Sequence, residues 1–402
     1  MKPGVASRAA AAEVVRRVTD DGAFSNVVLD DLDSSLSPAD STHARRLTMD
    51  ALRRLRIADE AIAAASNTPP DELEASVRAI LRVAVAEMAG GAAAHAAVDN
   101  AVEAVRAAGS PRAAGFVNAV LRSVLRAGVP EATPRAETPP WMFEQLERSW
   151  GTARAEAFFA AGSLPPKPSV RIRSEALAHE PTGVPGSGYV EAAALGEIAR
   201  SGTGVIVDPA SVAVSSAVAA EPGMRVLDMA AAPGGKTSHL WDQMSGSGLL
   251  VALDIHVGRL ASAKKRLARL GMRPAWLAGD GRRPALRQSS FDRVLLDAPC
   301  TGLGTLRRRP EIRHRLDPSS PARMAAIQEA LLRSAVRLAG PGGRVVYSVC
   351  TVFADETVDI VRPYDAAPPP GLPGEPWEKG LLLAPHTTAT DGMFISVITP
   401  RG

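Results

Sequence analysis

Four short apolar runs in the second half of the chain constrain its fold most. Each has the length of a β-strand, and helical patterns near residues 237–244, 257–270 and 321–339 separate them. Such alternation predicts an α/β domain with a mostly parallel, doubly wound sheet, whose ligands bind beyond the carboxyl ends of the strands. The runs are MRVLDMA (224–230), GLLVALDI (248–255), FDRVLLDAP (291–299) and GGRVVYSVC (342–350).

The first part of the chain has a different pattern, that of an all-α bundle. In DELEASVRAILRVAVAEMAG and RAAGFVNAVLRSVLRAG, apolar residues recur three or four positions apart, as on one face of a helix. Segments 8–18, 43–57 and 95–108 predict three further helices. The polar face of the second quoted helix carries Arg112, Arg122 and Arg126.

Composition shifts divide the chain into four segments. We expect a helical domain over 1–128, a stiff proline-rich linker over 129–140 (VPEATPRAETPP), a connecting segment over 141–207 and the α/β domain over 208–402. Within the connecting segment, the sequence predicts one helix over 141–161 and a strand at PSVRIR.

Composition also excludes several classes of protein. Hydrophobic residues make up 46% of the 402 residues, too many for a disordered chain. No apolar run reaches the length of a membrane span, the N-terminus has no signal-peptide core, and two cysteines are too few for a disulfide framework. We therefore expect a cytoplasmic monomer with no membrane contact and, because its seven histidines are scattered, no metal site.

The net charge of +3 is unevenly distributed. Residues 1–130 hold 15 basic and 16 acidic side chains, whereas residues 259–337 hold 18 basic and 6 acidic ones. A GC-rich genome would explain arginine in place of lysine, but not this clustering. The excess is the kind of surface that binds nucleic acid. Arg307, Arg308 and Arg309 follow a glycine-hinged loop, with Arg313 close behind, and we expect these arginines to bind a phosphate backbone.

A loop of small residues, Ala231 to Thr237, joins the first predicted strand to a helix. It is neither a phosphate-binding P-loop, since Ala230 stands where that motif needs glycine, nor the G-x-G-x-x-G dinucleotide motif. Asp254 ends the next strand and can accept hydrogen bonds from a ribose diol. Asp280 would lie on the rim near an adenine ring, although an aspartate before glycine is more often a turn residue. Together they predict a nucleoside-type cofactor without a pyrophosphate.

The only two cysteines, Cys300 and Cys350, each follow a predicted strand at the ligand-binding edge. A lone cysteine is usually an inert buried residue, and a regulatory disulfide is a further alternative. If the two strands are neighbours, however, both thiols face one pocket beside Asp297 and Lys236. That set suits alkylation of cytosine C5, which becomes nucleophilic once a thiolate has added to C6 and an acid has protonated N3. The target base must be unstacked from its helix. Chemistry alone does not say which thiol adds.

The combination of DMAAAPGGKT, LLDAPCTGLGTLRRRPEIR and YSVCT resembles the RNA 5-methylcytosine methyltransferases that use S-adenosylmethionine. The first half, with HAAVDNAVEAVRAAG and GFVNAVLR, is similar to the NusB-type RNA-binding domain. That domain order is typical of the RsmB (Sun/Fmu) family, which methylates a cytosine of small-subunit (16S) ribosomal RNA. The resemblance covers nearly the whole chain.

The resemblance implies a role for each site residue. Cys350 would be the nucleophile and Cys300 would assist release of the RNA, while Asp297 acts at the base and Lys236 supports the site. The cofactor would contact Ala230, Ala231, Ala232, Pro233, Gly234, Gly235, Lys236, Asp254, Asp280 and Asp297.

The chain departs from the family pattern beside the site without losing either thiol. The family usually has cysteine at Ala230, threonine at Val349, asparagine at Thr357 and at Arg173, and Lys-Trp at Arg313-His314. Two other functions remain open: a transfer RNA cytosine methyltransferase, and a non-catalytic RNA-binding or ribosome-assembly factor.

Overall fold

The computed structural model describes residues 4–33 and 35–400, and the chain divides into two compact units. None of the helices in these described ranges is long and apolar enough to cross a membrane. The first unit comprises Met1–Glu147, Thr152–Ser163 and Arg308–Leu316, and the second comprises Arg148–Gly151, Leu164–Arg307 and Asp317–Gly402.

Helices are the only regular secondary structure in the described residues of the first unit, as the sequence predicts. In α5, for example, Val77, Ile80, Leu81 and Val85 are buried on the face that joins the core of the bundle. The helices of this part of the chain are α1 (Val5–Thr19), α2 (Ser25–Asp33), α3 (Pro38–Arg53), α4 (Leu55–Ala65), α5 (Ala75–Ala89), α6 (Ala94–Ala107), α7 (Ala114–Ala127), α8 (Pro134–Glu137), α9 (Pro140–Trp150) and α10 (Thr152–Gly162).

Two features of residues 129–162 differ from the sequence interpretation. The segment expected as a linker contains α8 and the start of α9. The single helix expected over 141–161 is wrong, because the chain breaks at Gly151 into α9 and α10. Gly151 has φ of +80°, a left-handed conformation that ends a helix and suits glycine.

The second unit begins with a small antiparallel sheet in the order β2-β3-β1-β4. Its first strand confirms the strand predicted at PSVRIR. The elements are β1 (Ser169–Ile172), β2 (Glu180–Pro181), β3 (Ser187–Tyr189), α11 (Leu195–Ser201), β4 (Gly204–Ile206) and α12 (Pro209–Val218).

A larger mixed sheet follows, in the order β11-β12-β13-β9-β8-β5-β6-β7, with β10 paired to β13. Strands β9, β8, β5, β6 and β7 are mutually parallel, whereas β10 to β13 pair antiparallel at the other edge. The elements are β5 (Arg225–Asp228), α13 (Gly235–Gln243), β6 (Leu249–Asp254), α14 (Val257–Arg269), β7 (Ala275–Ala278), β8 (Phe291–Asp297), α15 (Ile312–Arg315, in the first unit), α16 (Ser320–Leu338), β9 (Ala339–Val349), α17 (Val358–Val361), β10 (Ala366–Ala367), β11 (Glu375–Trp377), β12 (Gly380–Leu383), α18 (Pro385–Thr388) and β13 (Met393–Ile398).

Both faces of this sheet are buried. Leu227 and Leu296 pack against Leu332 of α16 on one face, while Val226 and its alternating neighbours pack against α12 and α13 on the other. Side chains of a strand point alternately to its two faces, so one run of apolar residues fills two cores. The expected fold class is confirmed, and the antiparallel edge is an addition that the sequence analysis did not predict.

Candidate active site

The carboxyl ends of the parallel strands bring the predicted site residues to one edge of the sheet. Strands β8 and β9 are neighbours, and Asp297 pairs in register with Ser348. The cysteines follow these two strands. Both thiols were expected to face one pocket if these two strands were neighbours, and the strands are neighbours.

Asp297 is held by two donors. Lys236 Nζ lies 2.6 Å from Asp297 Oδ2, and Ser348 Oγ donates to Oδ1 at 2.8 Å. Burial alone would lower the pKa of Lys236, but its contact with the Asp297 carboxylate outweighs burial and raises it. Lys236 therefore remains a cation at the floor of the site.

The two thiols are in direct contact. Cys300 Sγ and Cys350 Sγ are 3.3 Å apart and form no disulfide. The hydrogen bond to Cys350, together with burial, holds the pKa of the Cys300 thiol well above its usual value. Cys300 thus keeps its proton at neutral pH and can donate it to the Cys350 sulfur.

The small-residue loop is fixed by Asp254. Ala232 N donates to Asp254 Oδ2 at 2.9 Å, and His256 N donates to Oδ1 at 2.8 Å. Gly234 adopts φ of +91° just before α13 begins, and its N–H donates to the Ala231 carbonyl at 2.6 Å. The loop is therefore a tight turn that leads directly into the N-terminus of a helix.

The donor set of this edge fits a nucleoside cofactor. Each Asp254 oxygen accepts one hydrogen bond in the structure, and a carboxylate oxygen can accept a second, as a ribose diol requires. Gly279 N donates to the Asp254 carbonyl at 3.0 Å, which places Asp280 on the adjacent loop. The Asp280 carboxylate is paired with Arg282 at 2.7 Å, and this contact lowers its pKa.

Comparison with known proteins gives the same assignment for both parts of the chain. Residues 215–366 match the family model "16S rRNA methyltransferase RsmB/F", and residues 5–126 match the NusB family. A Bacillus subtilis protein named probable ribosomal RNA small subunit methyltransferase B is 31% identical over 77% of this chain and 78% of its own length. The chain belongs to the RsmB/F methyltransferase family.

Other members and solved structures extend this result. A Thermus thermophilus ribosomal RNA small subunit methyltransferase B is 35% identical over 90% of this chain and 86% of its own length. The crystal structure of the protein PH0851 superposes with a TM-score of 0.82 at 23% identity, covering 99% of both chains. At that identity the superposition supports the fold of this RsmB/F member and nothing further.

Two buried carboxyl groups at the site escaped the sequence analysis. The first is Asp228 at the end of β5, which accepts a hydrogen bond from Thr237 Oγ1 at 2.7 Å. Burial raises the pKa of Asp228 to about 7, and its Oδ1 has no hydrogen-bond partner among the described residues. An acidic residue that ends an apolar strand directly before the loop was the available signal.

The second carboxyl group is Glu356, which braces the loop of Cys300. Its Oε2 accepts from Thr301 N and from Gln328 Nε2, both at 2.9 Å, and Gln328 Nε2 also reaches the Pro299 carbonyl at 2.9 Å. Burial raises the pKa of Glu356. Neither Glu356 nor Gln328 could be assigned from sequence, since their contacts span 55 and 28 positions along the chain.

The structure buries two of the four arginines that were expected to bind a phosphate backbone. Arg307 is 9% exposed and donates to the Ala389 carbonyl at 2.7 Å. Arg313 is 2% exposed and donates to Ser163 Oγ at 3.1 Å. Both guanidinium groups are therefore buried on protein partners. Arg308 is half-buried and Arg309 exposed.

The departures from the family pattern occupy structural positions. Val349 is fully buried beneath the thiols, and Thr357 Oγ1 donates to the Phe353 carbonyl at 2.8 Å. Arg173 pairs with Asp242 at 2.9 Å. His314 lies 3.1 Å from the Leu52 carbonyl, and burial lowers its pKa to about 3. These departures from the RsmB/F pattern leave both thiols, Asp297 and Lys236 in place at the sheet edge.

Proposed function

We propose that this protein transfers a methyl group from S-adenosylmethionine to C5 of a cytosine in small-subunit (16S) ribosomal RNA. The observation that carries the proposal is the 3.3 Å contact between Cys300 and Cys350 beside the Lys236–Asp297 pair. Family membership and the names of the relatives support a ribosomal RNA substrate.

Cys350 is the nucleophile in this mechanism. Its thiolate adds to C6 of an unstacked cytosine, and the electron pair of the C5–C6 double bond moves into the ring toward N3. As negative charge develops at N3, Lys236 passes its proton across the 2.6 Å contact to the Asp297 carboxylate, which hands it on to N3. The resulting enamine makes C5 nucleophilic. After methylation, water takes the C5 proton, the C5–C6 double bond re-forms and expels the Cys350 thiolate from C6, and the N3 proton returns through Asp297 to Lys236.

Cys300 serves release of the product. Its raised pKa keeps it protonated next to the Cys350 sulfur. A thiol in that place stabilises the departing thiolate by donating a hydrogen bond, and it is not consumed. The assignment of the covalent bond to Cys350 rests on the resemblance of YSVCT to the family motif.

S-adenosylmethionine, when bound, supplies an electrophilic methyl group. The residues that would hold this cofactor are Ala230, Ala231, Ala232, Pro233, Gly234, Gly235, Lys236, Asp254, Asp280 and Asp297. Among them, Asp254 would accept hydrogen bonds from the ribose, and Asp280 would contact the adenine end. Residues 1–128 serve as the RNA-binding domain before the linker and connecting segments, and Arg308 and Arg309 remain as phosphate contacts. The protein acts as a cytoplasmic monomer.

Two variants test the division of roles between the thiols. Cys350→Ala should abolish methyl transfer and form no covalent RNA complex. Cys300→Ala should still form the adduct but release it slowly, so that RNA stays with the protein on a denaturing gel. An absence of retained RNA with Cys300→Ala, or turnover by Cys350→Ala, would contradict the assignment.

Bisulfite sequencing of RNA from cells with and without the gene tests the substrate. We expect one protected cytosine in small-subunit ribosomal RNA to become reactive in the deletion strain. Loss of protection in transfer RNA instead would retain the mechanism and replace the substrate. A wild-type protein that binds RNA but neither binds S-adenosylmethionine nor methylates would contradict the proposal and favour an assembly factor.

A further inference from the structure

The burial of Arg307 and Arg313 leaves much of the basic excess of residues 259–337 without a role, and four other arginines of that segment meet in one cavity. The cavity lies in the second unit, between the loop after β7 and the helix α16, and measures about 520 Å³. We call it the arginine cleft. It is lined by Asp280, Arg282, Arg283, Ala330, Arg333 and Arg337.

The walls of the arginine cleft are fixed to each other at both ends of the loop. At one end, Gly281 packs closely against α16, where a Cβ on this residue would lie 2.9 Å from the Leu331 side chain. At the other end, Ser289 N and Ser290 N donate to the carbonyls of Arg337 and Leu338 at 2.9 and 3.0 Å. The arginines of loop and helix therefore face each other across a preformed cavity.

The protein leaves part of this positive charge uncompensated. Arg282 pairs with Asp280, and Arg333 pairs with Glu329 at 3.6 Å on the exposed side of α16. The exposed guanidinium groups of Arg283 and Arg337 form no hydrogen bond or ion pair with any other described residue. Four arginines against one lining carboxylate, already engaged, favour a multiply charged anion.

We propose that the arginine cleft binds the phosphate backbone of the RNA substrate, at a second contact separate from the pocket of the target base. This inference rests on the proposed function for the identity of the RNA. Arginine is suited to this contact, since its planar guanidinium donates two parallel hydrogen bonds to phosphate oxygens and never loses its charge. Asp280 joins the arginine cleft to the proposed adenine rim, so the RNA would run past the cofactor side of the sheet edge.

A double substitution that removes two positive charges tests the arginine cleft. The variant Arg283→Gln/Arg337→Gln removes the two unpaired guanidinium groups, both exposed, so folding should be preserved. The matched control is Arg200→Gln/Arg225→Gln, which removes two exposed charges of the same unit, Arg225 at the opposite, amino end of the parallel strands.

The measurement is the affinity for an unmethylated transcript of small-subunit ribosomal RNA as a function of salt. For the cleft variant we expect Kd at 0.15 M salt to rise about tenfold, and the slope of log Kd against log salt to fall by about two. In methylation assays KM should rise and kcat should stay unchanged. The control variant should match the wild type in all three quantities.

Three outcomes would overturn the inference. The first is a cleft variant with wild-type Kd and salt slope, and the second is an equal loss in the control variant. The third is tight binding of inorganic tripolyphosphate that the cleft variant loses while RNA binding is unchanged, since the cleft would then hold a small phosphate ligand. If the wild type binds RNA but does not methylate it, the proposed function fails while the salt slope still reports on the cleft.

Discussion

Individual carboxyl groups at the sheet edge differ in proton affinity because their surroundings differ. Asp228 and Glu356 are buried, and desolvation raises the pKa of both. Asp280 is held by Arg282, which lowers its pKa. Sequence analysis could locate the exposed member of this set, since loop aspartates after strands are visible as a pattern. The two buried acids depend on partners that only the fold brings together.

Asp228 should give the catalytic unit a characteristic dependence of stability on pH. Its folded-state pKa of about 7 lies above the ordinary value of 3.8, so the folded state retains a proton that the unfolded chain loses. The stabilising contribution is complete below about pH 4 and is lost as pH rises through about 7. Asn does not titrate, so the free energy of unfolding of Asp228→Asn should not show this loss. Relative to the wild type, it should increase by on the order of 2 kcal/mol from pH 5 to pH 8.

Urea unfolding of both proteins at pH 5, 6.5 and 8 measures this effect, because titrations shared by the two chains cancel in the difference. Thr237→Val is the control, since it removes the hydrogen bond to Asp228 and keeps the buried carboxyl group. A constant difference in stability between wild type and Asp228→Asn across the pH range would show that the group stays ionised when folded.

At the level of elements, the turn between β5 and α13 depends on one backbone conformation. Gly234 has φ of +91°, and a Cβ there would lie 3.2 Å from Leu267 and 3.3 Å from Ala263 of α14. Alanine at this position is opposed both by the backbone and by the facing helix. The turn can therefore lie against α14 only with glycine at this position.

Gly234→Ala should destabilise the second unit by about 1–3 kcal/mol and weaken S-adenosylmethionine binding at least tenfold. Gly258→Ala is the matched control, because Gly258 lies in α14 with nothing within 4 Å of a Cβ and no positive φ. That substitution should be neutral or stabilising. Thermal unfolding and calorimetric titration with the cofactor measure both quantities, and equal effects of the two substitutions would refute the role of the turn.

The elements that could be predicted from sequence are those specified locally. Strands β5, β6, β8 and β9 are continuous apolar runs, and α5 and α7 carry regular apolar stripes, so their own residues indicate them. At the antiparallel edge, β10 and β11 were missed because they have two and three residues and gain their hydrogen bonds from distant partners. Strands β12 and β13 were also missed, although both are apolar runs. The break at Gly151 was missed because the apolar pattern continues on both sides of it.

For the whole molecule, charge clustering along the chain did not say where the charge lies in space. The basic excess of residues 259–337 was real, but folding divided it among buried structural arginines, exposed pairs and the arginine cleft. Burial is decided by long-range packing, which no local pattern of arginines encodes. The same holds for Glu311, a residue of the basic segment that is fully buried in the helical unit.

Glu311 should be required for the stability of the helical unit. It is 0% exposed and accepts hydrogen bonds from Ser25 Oγ at 2.8 Å and Ser25 N at 3.3 Å, at the start of α2. Glu311→Ala leaves both buried donors without an acceptor and should cost about 1–3 kcal/mol. Hydrogen exchange of α2 in the full chain is the measurement. Ser25→Ala removes the hydroxyl donor itself and leaves only the Ser25 N–H to be satisfied, so it should lower the free energy of unfolding by less. Unchanged hydrogen exchange of α2 in Glu311→Ala would contradict this prediction.

The path of the chain through Arg308–Leu316 has a consequence for how such a protein can evolve. This segment follows the Cys300 loop in sequence and yet completes the helical unit. A single cut between the helical segment at the start of the chain and the second unit would leave these residues behind in the sequence of the second unit. These nine residues are inherited together with the Cys300 motif, so a substitution among them is subject to selection on both units.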